Sequence, residues 1–397
     1  MEATFDTQQG QSTQPWAAVR CLSLMTFVLV ASEFMPVSLL TPLARDLGIT
    51  EGQAGQAIAF SGLFAVLTSL FGNGLLSNID RRTVVVLYTL ILVLGGLLTS
   101  LAPDYLTFML GRALIGVSIG GFWSLSTAIL ARIVPAADLP KAIAMLQGGT
   151  AFAFVIAAPL GSFLGGLIGW RGAFFTIVPV ALLAALWQMR AVPSLPADTA
   201  VSVGRMVGLL RQRVFALGMI SITLAFMGQF ALSTYLRPFL EGVTGLTVNP
   251  LSLVLLGLGL TGLLGTLIVG FLLRRYLASV LIGLPLVLGL IALLLIPFGP
   301  YALPIAFLLM LWGLFITPIP VAWNTWMTKA VPDQLEAAGG LQVALIQFAI
   351  TTGAFAGGFL FDLAGWQSTF FLAAVLFAGS VFFARLTLPK PKGQTDG

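Results

Sequence analysis

Histidine is absent from this 397-residue chain, and cysteine occurs once, as Cys21. The missing histidine removes the commonest metal ligand and the usual proton carrier at neutral pH. The single cysteine excludes an internal disulfide. Charge is scarce too: 8% of residues are Asp, Glu, Lys or Arg, against about 25% in a soluble globular domain. A soluble fold with so little charge has nothing to set against water. A chain solvated by lipid has no such need, provided its backbone hydrogen bonds close internally, as helices close them. Segments of about ten alternating residues, the mark of a membrane barrel, are lacking, as is a Walker A sequence. ATP drive within the chain is therefore not expected, and neither is a metal, a cofactor or enzymatic activity.

What is present is long apolar runs; 58% of residues are hydrophobic. Crossing about 30 Å of hydrocarbon takes roughly 20 helical residues at 1.5 Å each. The sequence predicts an all-α membrane protein with twelve transmembrane helices near 16–41, 52–77, 83–102, 105–131, 140–167, 171–189, 214–236, 250–273, 277–296, 301–328, 337–361 and 367–386. The first run, Trp16 to Leu40, is too long for a signal h-region and lacks an A-x-A site, so it reads as a retained span behind a polar tail, Met1 to Gln14. With both termini in the cytoplasm, 15 of the 19 Lys and Arg residues fall on the cytoplasmic side. Arg45, Arg171 and Arg237 fall outside, and Arg112 lies within a span. The net charge of +5 is then a topology signal and gives no reason to expect nucleic acid. These features predict a multi-pass inner-membrane protein.

The longest polar break runs from Ala191 to Gln212 and includes Pro193, Pro196 and Asp198. It divides an N-terminal six-helix bundle (1–190) from a C-terminal one (213–397), with 191–212 as a cytoplasmic linker. The two look like pseudo-symmetric repeats. Gly169-Trp170 and Phe174-Phe175 recur 196 positions on as Gly365-Trp366 and Phe370-Phe371, and Gly116 and Val134-Pro135 recur 197 positions on as Gly313 and Val331-Pro332. Duplicated six-helix halves are a transporter plan, with the substrate site between them.

Glu33 is the deep carboxylate of this scheme. The other acids, Asp46, Glu51, Asp80, Asp104, Asp138, Glu241, Asp333, Glu336 and Asp362 among them, fall at span ends or in loops. An ionisable group inside the bilayer points to function, and with no histidine present, proton chemistry falls to carboxylates. Arg112, in Gly111-Arg112-Ala113-Leu114-Ile115-Gly116, is the in-span cation. It needs an anion or carbonyls, and Glu33 lies at matching depth, so a direct pair is one expectation and backbone carbonyls the other. Gly257-Leu-Gly259-Leu-Thr-Gly262 spells a dinucleotide fingerprint in the wrong context, within an apolar span; close helix packing accounts for it, and for Gly116-x-x-x-Gly120. Polar and aromatic residues inside spans include Trp123, Ser124, Gln147, Gln229, Tyr235, Trp312, Trp323, Asn324, Trp326, Gln342 and Gln347. Amides and flat faces suit a neutral, hydroxyl-rich or heteroaromatic solute. Trp16, Trp170, Trp187 and Trp366 sit near span ends and read as interfacial belt residues; Trp123 and Trp312, mid-span, suit cavity or core equally.

The chain resembles the major facilitator superfamily, in its proton-coupled sugar, drug and nucleoside efflux branch. The carrying segments are Glu33-Phe-Met-Pro-Val-Ser-Leu-Leu-Thr-Pro42, Arg112-Ala-Leu-Ile-Gly116, Ala158-Pro-Leu-Gly161 with Gly169-Trp170-Arg171, and the loop Gly74-Leu-Leu-Ser-Asn78-Ile-Asp80-Arg81-Arg82. Ala158 stands where the antiporter motif usually has Gly, and Asn78 where the loop usually has Asp. The resemblance implies alternating access, proton coupling through Glu33 and Arg112, and export of a small neutral solute of the purine nucleoside class; the chain is expected to act as a monomer. Sugar or drug efflux is the alternative within the branch, and a non-transporting membrane sensor or scaffold the alternative outside it. It further implies a central cavity lined from helices one, four, seven and ten, with helices five and eleven contributing, for which Trp123, Gln229, Trp312, Asn324 and Gln347 are the candidates.

Overall fold

The computed structural model describes residues 14–72, 75–76, 78–135, 138–196 and 203–388, without the side chains of Gln14, Pro140, Arg205, Leu335 and Glu336. The N-terminal tail, Gly74, the centre of the expected linker with Asp198, and Lys390 and Lys392 lie outside the described residues. Among those described, the chain is helical throughout and forms no strand. In order come α1 (Gln14–Leu47), α2 (Glu51–Leu67), α3 (Arg81–Ser100), α4 (Tyr105–Ile133), α5 (Leu139–Phe175), α6 (Ile177–Ala191), a short α7 (Val203–Gly208), α8 (Arg213–Ser233), α9 (Leu236–Gly242), α10 (Val248–Phe298), α11 (Ala302–Ile316), α12 (Ile319–Ala330), α13 (Leu335–Ala364) and α14 (Trp366–Thr387).

Ten helical stretches among the described residues are long and apolar enough to cross a membrane. Two of them, Lys141–Ala191 and Val248–Phe298, run 51 residues. A straight helix of that length measures about 76 Å, more than twice the hydrocarbon thickness. Both are broken near the middle, at Gly169 (φ 75°, ψ 166°) and at Tyr276 (φ −126°, ψ 34°). The sequence pattern placed a boundary at each of these points. The repeated Gly-Trp pair also shares a backbone conformation at its glycine. Gly365, 196 positions on from Gly169, adopts nearly the same conformation (φ 79°, ψ 177°), in a region that L side chains avoid.

Polar side chains close the helix ends. Thr50 caps α2 and forms a reciprocal capping box with Gln53; Asp104 accepts from the Thr107 N–H at 2.8 Å to start α4. The buried apolar side chains form two clusters. One is built from residues between Ala18 and Leu195 together with Tyr235; the other runs from Leu209 to Ala384 and takes in Ile58 and Ala59. The exceptions are informative: each group of helices inserts a few side chains into the other. The groups meet where α2 packs on α13, α5 on α10, and α1 on α9.

The end of the bundle at which the described chain starts and stops is called proximal below, and the opposite end distal. Contacts between the groups begin near mid-depth and continue distally. Gly259 meets the Val155 backbone, and a side chain at Gly62 would overlap the Thr351 hydroxyl. At Gly55 and Gly358 an added Cβ would overlap the Tyr235 ring, which fills the slot these glycines leave. The Tyr235 hydroxyl donates to the Ala354 carbonyl at 2.9 Å.

Within the first group, α4 lies so close to α2 that a Cβ at Gly116 or Gly120 would overlap the Ser61 or Ala65 carbonyl. Backbone cannot yield as a flexible side chain does. Gly116→Val is therefore expected to lower stability by at least the roughly 1–3 kcal/mol of ordinary overpacking. Gly148→Ala, where nothing stands within 4 Å of the new Cβ, is expected to be neutral or slightly stabilising. Thermal melting of the two variants in detergent checks this; equal melting temperatures would contradict the packing.

Candidate functional site

The site begins with two prolines in α1. A proline in a helix interior has no N–H to give the carbonyl four residues earlier. Pro36 therefore releases the Ser32 carbonyl and Pro42 the Ser38 carbonyl. In a lipid-solvated bundle each needs another donor, and each receives an arginine. Arg112, fully buried on α4, donates from Nη1 to Ser32 O at 2.7 Å and from Nη2 to Glu33 O at 3.1 Å. It also donates from Nε to Ala57 O at 3.2 Å and from Nη2 to Ser61 Oγ at 3.0 Å. One guanidinium thus ties α1, α2 and α4 together. Arg237, on α9 in the other group, donates to Ser38 O.

The direct Glu33–Arg112 ion pair is not formed in this conformation. Arg112 spends its donors on backbone and one hydroxyl, the second of the two expectations, because the proline-broken helix offers carbonyls nearer than the carboxylate. The Glu33 side chain, buried to 3% exposure, accepts instead from Gln347 Nε2 of α13 at 3.4 Å. The structure thereby brings together two sequence candidates from opposite groups of helices. Glu33 lies about 21 Å from the distal end of α1, at 1.5 Å per residue.

The other candidates are more dispersed. Gln229 is half-buried on α8. Its neighbour Phe230 stacks on Phe34, which stacks on Phe154, with ring centroids 5.3 Å apart in both pairs. Trp123 is half-buried, edge-on to Phe122. Trp312 is a core residue, 2% exposed and edge-on to Phe377. Asn324 is exposed on α12 and accepts from Gln342 Nε2 at 2.8 Å. Trp170 departs from the belt expectation: it is 4% exposed, donates from Nε1 to Asp46 at 3.1 Å and lies under the Arg171 guanidinium. Sequence reasoning missed Ser32, Ser61, Phe34 and Arg237. A proline four residues after a polar in-span residue was a readable signal for Ser32 and Ser38; the Phe34 stack left none.

A protein-family model described as Major Facilitator Superfamily matches residues 22–343. The chain belongs to the major facilitator superfamily. Its relatives include a protein of Pseudomonas aeruginosa named transcription regulatory protein OpdE, 48% identical over 384 residues and 96% of both chains. They also include the proteins named purine ribonucleoside efflux pump NepI of Salmonella enteritidis and Salmonella typhimurium, each 41% identical over 367 residues and 92% of both chains. The chain is thus a multi-pass membrane transporter of this superfamily.

In this member of the superfamily, the entry into α3 is organised by Asp80. It accepts from Ser194 Oγ at 2.7 Å and from the Thr83 N–H at 3.3 Å, capping α3. Partial burial opposes its ionisation, but these bonds and those from the Leu195 and Arg82 N–H groups outweigh it and hold the carboxyl below its ordinary range. The Arg81 N–H donates to Leu195 O at 2.9 Å, so the start of α3 is fastened to the chain leaving α6.

The proline–arginine arrangement makes a specific energetic prediction. Arg112→Ala leaves buried carbonyls without donors, at about 1–3 kcal/mol each, and is expected to lower stability by roughly 3 kcal/mol. Pro36→Ala returns an N–H to Ser32 O. Its benefit should be larger in the Arg112→Ala background than in the parent, by about 1 kcal/mol. A double-mutant cycle on thermal or denaturant unfolding measures this coupling. Additivity to within about 0.3–0.5 kcal/mol would show that the two residues do not share a carbonyl.

Proposed function

We propose that the chain is a twelve-span secondary carrier of the bacterial inner membrane that exports purine nucleosides or their analogues in exchange for protons. In this reading both termini are cytoplasmic, and the two 51-residue stretches are each two spans folded at Gly169 and Tyr276. The six-helix bundles 1–190 and 213–397, joined by 191–212, rock against one another. The chain acts as a monomer, with the lipid bilayer, protons and a small neutral solute as its partners.

One observation carries the coupling. Glu33 is a buried carboxylate between the two bundles, hydrogen-bonded across the divide to Gln347, on a helix fixed from behind by Arg112. A carboxylate in that position binds a proton in one arrangement of the bundles and a cross-bundle donor in the other. Protonation makes the carboxyl a poorer acceptor and so weakens the cross-bundle bond from Gln347. Arg112 supplies positive charge close to the carboxylate without neutralising it through a direct bond, which keeps the anion available.

For the solute, Gln347 and Gln229 supply amides and Trp123 a partly exposed face, and Asn324 with Gln342 forms an amide pair on the proximal side. Trp312 contributes through the wall of the C-terminal bundle. A nucleoside has a flat base and hydroxyls but no charge, and such groups match it. The purine preference draws on the efflux-pump relatives. Sugar or drug export uses the same framework.

A second reading, a membrane sensor without transport, is favoured by the relative named a transcription regulatory protein. Counterflow of labelled inosine in proteoliposomes separates the two, since a sensor shows none.

The decisive variant is Glu33→Gln. It is expected to fold and insert, to lose proton-driven nucleoside export to the level of empty vesicles, and to retain gradient-free exchange. The measurement is uptake into inverted vesicles with an imposed pH gradient. Parent-like proton-driven transport in the variant would remove Glu33 from the coupling role.

A further inference from the structure

A carrier of this kind must hold one end closed and release it each cycle, and in this structure the distal end is the closed one. The geometry points to Arg237 and Asp362 as the two side chains that hold the distal end shut, each by gripping a backbone group that helix geometry has left without a partner. The inference rests on the two-bundle carrier reading and adds the residues that set its resting state.

The first grip is on a carbonyl. Ser38 O has lost its helical donor because residue 42 is proline. Arg237, 4% exposed, reaches from α9 and donates to it from Nη1. The same guanidinium is held at its other edge by Glu241, with Nε and Nη2 at 2.9 and 2.7 Å from Oε1. Glu241 belongs to the same bundle as Arg237. The clamp therefore keeps its orientation and its counter-charge when the bundles part.

The second grip is on an amide. The first turn of α2 presents N–H groups with no intrahelical partner, and a positive dipole end. Asp362, at the distal end of α13, accepts the Gly52 N–H on Oδ1 at 3.1 Å and the Thr50 hydroxyl on Oδ2 at 2.6 Å. An added Cβ at Gly52 would overlap the carboxylate, so the glycine admits it. Between the two grips Tyr235 sits in its glycine slot; its hydroxyl donates to Ala354 O within its own bundle at 2.9 Å and lies 3.5 Å from Gly52 O of the other bundle, a longer contact than either grip.

Both grips share one logic. The N-terminal bundle offers orphaned backbone groups, and the C-terminal bundle supplies the charged side chains. At the distal mouth water replaces either partner once the bundles separate, so each bond is worth its modest net value and no buried charge is stranded. Neither grip touches Glu33 or Gln347.

The test uses the full chain in lipid nanodiscs without nucleoside, in a Cys21→Ser background. Spin labels at Leu101→Cys and Leu303→Cys report the distal separation; these positions are 70% and 84% exposed, one on each bundle. The parent is expected to give one dominant short distance. Arg237→Gln and Asp362→Asn should each raise the ratio of the longer to the shorter population by about tenfold, the change that 1.4 kcal/mol makes. The double variant should raise it further. Pro42→Ala provides an arm that alters neither side chain. It restores the N–H to Ser38 O, competes with Arg237 and should open the distal end in the same direction, while favouring a folded helix. Parent-like distance distributions in folded Pro42→Ala and Asp362→Asn would overturn the proposal. Absence of nucleoside flux through the parent would instead overturn the carrier reading and leave the distance measurement standing.

Discussion

The structure depends on one constraint: inside a bilayer, a backbone carbonyl that loses its helical donor must find another. Two prolines in α1 create two such carbonyls, and two arginines answer them. Arg112 answers from the same bundle and fixes α1 against α2 and α4. Arg237 answers from the other bundle. The first of these bonds ties helices within one group and the second joins the two groups. The carboxylate of Glu33, one residue beyond the carbonyl that Arg112 grips most closely, is left facing Gln347 across the divide.

That division of labour gives the charge distribution a physical meaning. A guanidinium at full burial is tolerated because its donors meet acceptors in planar geometry that Lys cannot match. Had Arg112 bound the Glu33 carboxylate directly, its oxygens would be occupied. By taking carbonyls, Arg112 keeps its charge near Glu33 and leaves the oxygens to a weak amide donor. The distal side differs: Arg171 pairs with Asp46 and Arg237 with Glu241, where the ends of the helices reach polar surroundings.

Much of this was legible in the sequence. Apolar run lengths located the helices, including the breaks at Gly169 and Tyr276. The 196-residue displacement of Gly169-Trp170 reappears as a shared backbone conformation at Gly169 and Gly365. Glu33 and Arg112 stood out because ionisable groups within spans are rare. The partners were harder. Depth alone suggested that Arg112 meets the Glu33 carboxylate, whereas the choice between carboxylate and carbonyl turns on angstrom-scale geometry around Pro36. Trp312 shows the same limit: periodicity cannot tell a tryptophan facing a cavity from one facing the core of its own bundle. The distal clamps were hidden for another reason. Asp362 and Arg237 lie at span ends, where charged residues are ordinary, and only the packing of α2 on α13 and of α9 on α1 gives them partners.

The central claim is that solute and proton move in opposite directions through one carrier. Its most direct test is to load proteoliposomes with inosine and a pH-sensitive dye and dilute them into inosine-free buffer at equal pH. The outward inosine gradient is then the sole driving force, and antiport is independent of how the protein is oriented. The account predicts that inosine efflux acidifies the lumen, and that empty liposomes show no change. Efflux with no change in lumenal pH, or with alkalinisation, would contradict it.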